Sequence, residues 1–140
     1  MKPLVVDASV AAKWFLPEDD ADRAQALLSG RYALLAPELL WVEVASVVWK
    51  YARKRLLTQV EAERIIQHAM VFPVERHPVE PLLADALKLA IEHDRTVYDC
   101  LYLALAVRES ATLATEDARL VRSLAGGRLS RRVCLLADLR

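Results

Sequence analysis

"PLVVDASVAAKWFLP", residues 3–17, carries the pattern from which the fold is read. "PLVV" at 3–6 is a short apolar run, suited to a buried strand, and Asp7 follows it at once. Residues 9–16 then keep helical spacing until Pro17, which lacks an N–H and clashes with the preceding turn, ends the helix. The same alternation recurs along the chain. A helix is expected over 19–29, stopped by Gly30, and "YALLA" at 32–36 reads as the next strand. Pro37 suits a first helical turn, so a long helix is expected over 37–54. Thr58 and Glu61 have the spacing of a capping box, opening a helix that runs to about Met70. "VFPVE" at 71–75 is extended, 79–93 is helical, and a further helix opens at Asp99 in "DCLYLALAV". "ATLAT" at 111–115 is a strand, "EDARLVRSL" at 116–124 a helix, and "RVCLLA" at 132–137 a last strand. Strands that alternate with helices predict an α/β fold, with helices on both sides of a parallel sheet.

Composition narrows the class. The chain is 55% hydrophobic with three glycines, so a packed core is expected rather than disorder. Its 140 residues suit one domain spanning 1–140. Lys plus Arg equals Asp plus Glu at nineteen each, so an anionic partner must be held locally or through a metal. Cys100 and Cys134 form neither a disulfide framework nor a zinc spacing, and both are expected as buried thiols. No signal peptide or membrane span is apparent, and a cytoplasmic protein is expected.

Within this pattern the acids stand out. Asp7 follows the first strand, and Asp117 lies two residues beyond "ATLAT". Open parallel sheets bind ligands beyond the carboxyl ends of their strands, where strand order reverses. Asp99 begins an apolar helix, and Glu43 lies inside "LLWVEVASVVW" at 39–49. Apolar residues surround Glu43 on nearly the whole circumference, which predicts a helix buried on all sides. Leu39, Leu40, Ser46 and Val47 are its neighbours along the helix, so it has no cation there. Each acid also has an ordinary role open to it. Asp7 or Ser9 could cap the first helix, Asp99 the helix it opens, and Thr115 the helix carrying Asp117. Glu43 could be partly exposed or paired with an arginine.

Taken together, Asp7, Glu43, Asp99 and Asp117 favour a metal site. Carboxylates cannot crowd one low-dielectric pocket unless some protonate or a cation neutralises them. Oxygen ligands suit Mg²⁺, with Mn²⁺ as substitute, bound through few carboxylates plus a substrate phosphate. Helix starts near Ser9 and Asp99 are expected to offer backbone N–H groups to that anion. The chemistry expected is metal-assisted phosphodiester hydrolysis.

Four segments in this order also carry a family likeness: "LVVDASVAAKWFLPE" at 4–18, "APELLWVEVASVVWK" at 36–50, "TVYDCLYLALAV" at 96–107 and "LATEDARL" at 113–120. With them the chain resembles the PIN-domain ribonucleases, and among those the VapC toxins of bacterial and archaeal toxin–antitoxin pairs. The resemblance implies a three-layer α/β/α fold around a central parallel sheet of about four to five strands. It places the family's acidic positions on Asp7, Glu43, Asp99 and Asp117, with Asp7 and Asp99 the more consistent metal ligands. Its small hydroxyl residues near the site fall on Ser9 and Thr115, which makes them candidate substrate contacts. It further implies a structured RNA substrate such as tRNA or rRNA, a homodimer, and an antitoxin laid across the site.

Other residues carry less. Lys13, one turn beyond Ser9, is a candidate phosphate contact. Lys50, Arg53, Lys54 and Arg55 end the long helix, where the dipole favours cations, and contact with RNA is the alternative. Arg128, Arg131 and Arg132 are expected in a solvated loop, and Glu116 facing solvent. His68, His77 and His93 show no ligand spacing. Trp14, Trp41 and Trp49 are expected in the core or at subunit contacts. Two other readings remain: a receiver-like phosphoacceptor, although no lysine ends the last strand, and a PIN module that binds without cleaving.

Overall fold

The computed structural model describes residues 1–140 as one five-stranded sheet flanked by helices. In chain order the elements are β1 (Lys2–Val6), α1 (Ala8–Ala11), α2 (Ala21–Ala26), β2 (Tyr32–Pro37), α3 (Leu39–Arg53) and α4 (Gln59–Ala69). There follow β3 (Glu75–His77), α5 (Leu83–His93), α6 (Val97–Arg108), β4 (Thr112–Thr115), α7 (Ala118–Leu124) and β5 (Val133–Leu135). All strands are parallel, in the order β3-β2-β1-β4-β5. β1 is therefore central. Successive crossovers leave it on one side towards β2 and β3, then return to its other side at β4. That reversal opens a crevice at the carboxyl ends of β1 and β4.

A parallel sheet covered on both faces needs strands without alternation, and β1 has them: Leu4, Val5 and Val6 are all buried. The helix buried on every side is α6, where Cys100 to Ala106 form an unbroken buried run. It packs against β1, β2, β4 and α5. The expectation had been that α3 would be the enclosed helix. Instead α3 buries a single stripe, Leu40, Val44 and Val48, while Val42 is 66% and Trp49 55% exposed. Apolar residues cover both faces of α3, but only one face meets the core.

Several boundaries also differ from expectation. Pro37 is the last residue of β2 rather than the first turn of α3; its missing N–H is tolerated at the end of a strand. "VFPVE" is largely turn, and β3 starts only at its final residue, Glu75. The helix expected over 9–16 divides into α1 and a 3₁₀ turn at Ala12–Trp14. The one expected over 19–29 shrinks to α2, with Asp20 left-handed at φ 62° just before it. The strand expected over 132–137 ends at Leu135 and passes into a 3₁₀ turn. Cys134 is only partly buried, unlike Cys100. The capping box at α4 is present: Glu61 N–H donates to Thr58 Oγ1 at 3.1 Å and Thr58 N–H to Glu61 Oε1 at 2.9 Å.

The burial difference between α6 and α3 gives a direct test by urea unfolding. Leu103→Ala, in the enclosed α6, is expected to cost about 3 kcal/mol through lost transfer energy and a residual cavity. Val42→Ala, on the open face of α3, is expected to stay within about 0.5 kcal/mol.

Candidate active site

Four elements bring the four acids to one cleft. Asp7 comes from the end of β1, Glu43 from α3, Asp99 from the first turn of α6, and Asp117 from the start of α7. With Ala8, Ser9, Tyr102, Leu113 and Leu120 they line a cavity of about 180 Å³.

Asp7 is the most enclosed of them. It caps α1, its Oδ1 accepting the N–H of Val10 at 3.2 Å. Ser9 Oγ donates to the same oxygen and Thr115 Oγ1 to Oδ2, each at 2.5 Å. Burial pushes the carboxyl up to about 6; hydrogen bonds from Ser9, Thr115 and Val10 pull against that rise, and the charge of Glu43 adds to it. Glu43 is raised for the same leading reason, burial, opposed by its hydrogen bond from the Tyr102 hydroxyl and reinforced by Asp99. No side-chain ion pair reaches Glu43; the neutral Tyr102 phenol is its hydrogen-bond partner. Burial, then the charge of Glu43, likewise hold the Tyr102 phenol protonated, so it remains a donor.

Asp99 and Asp117 are held differently. Arg95 Nη2 donates to Asp117 Oδ2 at 3.1 Å and lies 3.5 Å from Asp99 Oδ2. Asp117 Oδ1 accepts the N–H groups of Arg119 and Leu120, so Asp117 itself caps α7. Asp99 does not cap α6. That role falls to Thr96, whose Oγ1 accepts the Asp99 N–H at 3.1 Å.

The hydroxyls expected to meet substrate face inward. Ser9 Oγ gives its proton to Asp7 and accepts the Glu116 N–H at 3.0 Å. Thr115 gives its proton to Asp7 and accepts the Asp117 N–H at 3.1 Å, so it caps no helix. At each of the two helix starts one first-turn N–H is capped by a side chain, Val10 by Asp7 and Asp99 by Thr96. Lys13 is buried and donates to the Asp19 carbonyl at 2.5 Å. It also pairs with Glu116 at 3.5 Å and Glu18 at 4.0 Å, so Glu116 is not the solvent-facing acid expected. Arg95 and Tyr102 were not anticipated from sequence. Each carried a faint signal: Arg95 lies four residues before Asp99, and Tyr102 one helical turn after it.

No group of three or more His, Cys, Asp or Glu side chains is gathered tightly enough to enclose a metal ion by itself. The donor set nonetheless suits a hard divalent cation, because carboxylate oxygens line the cleft and Mg²⁺ binds through one or two of them plus a substrate phosphate.

Beyond Ala8 and Glu43 the cleft continues into a shallow groove of about 330 Å³, lined also by Leu39, Val42, Ser46, Val47, Lys50 and Tyr98. The basic end of α3 divides here. Lys50 lines this groove, while Arg53 stacks over Trp49, 5.4 Å from the ring centroid, beside the separate groove between α3 and α4. In the last loop Arg128 pairs with Glu92 at 2.8 Å, and Arg132 donates to the Ala111 carbonyl at 3.2 Å.

A fold with one reversal point, and acids converging on it from four elements, places the chain in a family of known architecture. The PIN domain family matches residues 4–125, and the chain belongs to it. Ribonuclease VapC3 of Pyrobaculum aerophilum is 37% identical over 119 residues, which cover 84% of this chain and 91% of that protein. Ribonuclease VapC12 of Mycobacterium tuberculosis is 30% identical over 120 residues, covering 86% and 91%. In three dimensions the chain is similar to Mycobacterium tuberculosis VapC20, a Sarcin-Ricin loop cleaving toxin. That likeness has a TM-score of 0.67 at 16% identity over 91% of this chain and 98% of that one, and speaks to the fold.

The raised Asp7 carboxyl sets a pH dependence with a definite sign. Its folded value lies above its ordinary 3.8, so the fold binds this proton more tightly than the unfolded chain does. The resulting stability is present below about pH 4 and is lost as pH rises through about 6. Above that, the ionised carboxylate opposes folding by about 3 kcal/mol, at about 1.4 kcal/mol per unit. Without added metal at pH 7.5, Asp7→Asn is therefore expected to stabilise the chain by about 1–2 kcal/mol, since the amide cannot serve both hydroxyls equally. The gain should vanish towards pH 4, as read by thermal melts across the range.

Proposed function

We propose that this chain is a divalent-metal-dependent endoribonuclease, the toxin of a toxin–antitoxin pair. The observation that carries the reading is the convergence of Asp7, Glu43, Asp99 and Asp117 on one cleft at the sheet's reversal point. Relatives named ribonucleases, at 37% and 30% identity, support RNA as the substrate.

Asp7 and Asp99 would hold Mg²⁺, or Mn²⁺ in its place, with Asp117 and Glu43 completing the acidic pocket directly or through water. When bound, the ion supplies charge neutralisation at the phosphoryl oxygens and a more acidic water. The chain's own residues do the rest. Ser9 and Thr115 fix the Asp7 carboxylate in one orientation. Glu43, raised by burial and steadied by Tyr102, takes the proton from the attacking water. That water adds to phosphorus as the bond to the leaving ribose oxygen breaks, and the leaving oxygen takes up a proton from solvent. In the adjoining groove Lys50 is placed to meet an RNA phosphate and the exposed Tyr98 to stack a base.

The reading includes a homodimer and a cytoplasmic location. Leu83, Leu87 and Ile91 form an exposed stripe on α5 at helical spacing, which a second copy would cover. A solved toxin–antitoxin complex from Klebsiella pneumoniae shares the fold, with a TM-score of 0.67 at 17% identity. It supports an antitoxin as a partner of this chain. No helix is long and apolar enough to cross a membrane.

Two measurements test this reading. RNA 5′ ends mapped in cells making the wild-type chain should show new cleavage sites that are absent with Asp99→Asn. Cleavage in vitro should fall at least 100-fold in Asp99→Asn and Asp7→Asn, with the rise in melting temperature caused by Mn²⁺ lost in both. A melting temperature insensitive to Mn²⁺ and Mg²⁺, with identical 5′ maps, would sink the proposal. For the dimer, Leu87→Glu should halve the mass seen by light scattering.

A further inference from the structure

Arg95 is the one cation in contact with any of the four acids of the cleft, touching Asp99 and Asp117, and its placement is built into the backbone. α5 ends with Asp94 in the left-handed region at φ 52°, and Arg95 N–H closes back on the Ala90 carbonyl at 3.2 Å. Thr96 then caps α6. This tight corner leaves Arg95 beside the first turn of α6, four residues before Asp99. Its side chain is 21% exposed, and its buried Nε–H has no hydrogen-bond acceptor. Only Nη2 touches acids, reaching the Oδ2 atoms of Asp99 and Asp117 together.

Those two oxygens matter because of what occupies the rest of Asp117. Its Oδ1 is committed to the N–H groups of Arg119 and Leu120. Oδ2 is therefore the oxygen Asp117 can offer to the cleft, and Arg95 holds it. A divalent ion approaching Asp99 and Asp117 meets a positive charge already seated against both. Asp7 and Glu43 pose no such obstacle, since their partners are neutral hydroxyls.

We infer that Arg95 is a tethered counter-cation that competes with the divalent metal for Asp99 and Asp117, so that loading the site is an exchange of guanidinium for metal. The inference rests on the metal-nuclease reading and adds to it a device that sets metal affinity. With Arg95 seated, its single positive charge offsets part of the charge of Asp99 and Asp117, and the fold is spared part of their repulsion. With Arg95 displaced, Asp117 Oδ2 is free for the ion. The ion concentration at which exchange occurs becomes a property of this chain.

The test is Mn²⁺ binding by calorimetry on the full chain, with Arg95→Gln, Arg95→Lys and Asp99→Asn beside wild type. Arg95→Gln removes the charge and leaves a shorter polar side chain, and is expected to bind Mn²⁺ at least tenfold more tightly and to melt lower without metal. Arg95→Lys keeps the charge and should stay within about threefold of wild type. An Arg95→Gln protein that is folded by circular dichroism yet binds Mn²⁺ no more tightly than wild type overturns the inference and leaves the metal site standing. Binding absent from wild type and Arg95→Gln alike, or unaffected by Asp99→Asn, overturns the metal-nuclease reading and this inference with it. Should Arg95→Gln fail to fold, Arg95→Lys binding more than tenfold tighter than wild type would equally overturn it, because the charge is retained.

Discussion

The buried carboxylate of Asp7 is the constraint on which the rest of the site depends. It sits at the end of the central strand, where a bare ionised group would be costly. Three donors keep it there: the Val10 N–H from α1, the Ser9 hydroxyl and the Thr115 hydroxyl from the end of β4. Those donors are themselves oriented by further bonds. Ser9 accepts from Glu116 N–H and Thr115 from Asp117 N–H, so the turn between β4 and α7 is sewn to the same carboxylate. Moving Asp7 would therefore disturb the start of α1, the end of β4 and the seat of Asp117 at once. The register of Val6 opposite Ala114 brings the two strand ends level and makes this possible.

The four acids are treated in two ways, and the difference is chemical. Hydroxyl and backbone donors orient a carboxylate without cancelling its charge, and Asp7 and Glu43 receive only such donors. Asp99 and Asp117 instead share a guanidinium. Two mutually repelling carboxylates in a half-buried cleft are tolerable with one cation between them. Asp7 and Glu43 have no such relief, and both are raised above their ordinary range by burial and by a neighbouring acid. The cleft thus stores unfavourable electrostatics in the half nearest the central strand. Stability is given up there for a concentration of negative charge that packing alone would never select.

What could be read from the chain follows from the range of the interactions. "PLVV" then Asp7, and "ATLAT" then Asp117, announced two strands ending at one edge, because strand, turn and acid are contiguous in sequence. The capping box at Thr58 was legible for the same reason. "TVYD" at 96–99 has the same Thr spacing, yet the acid drew the eye as a helix start, and the true cap three residues earlier was passed over. The burial of α3 was misjudged because a run such as "LLWVEVASVVW" reports how apolar a helix is, not how much of it the sheet covers. α6 takes the enclosed place because it crosses behind β1, β2 and β4. The inward turn of Ser9, Thr115 and Lys13 is tertiary too: each finds its partner through chain reversals that no local pattern encodes.

Arg95 and Tyr102 show where such reasoning stops and what would extend it. Both lie within one helical turn of Asp99, on the side that α6 presents to the cleft, so an acid at a helix start is a reason to inspect the residues three and four away in both directions. A phenol on a helix buried all round must find an acceptor or leave a polar group unpaired in the core. Glu43, which the fold brings beside α6, is the acceptor it finds. A buried tyrosine on the most apolar helix of an acid-bearing α/β fold is therefore itself a pointer to the site, and it points to Glu43, the acid whose position the local sequence explained least.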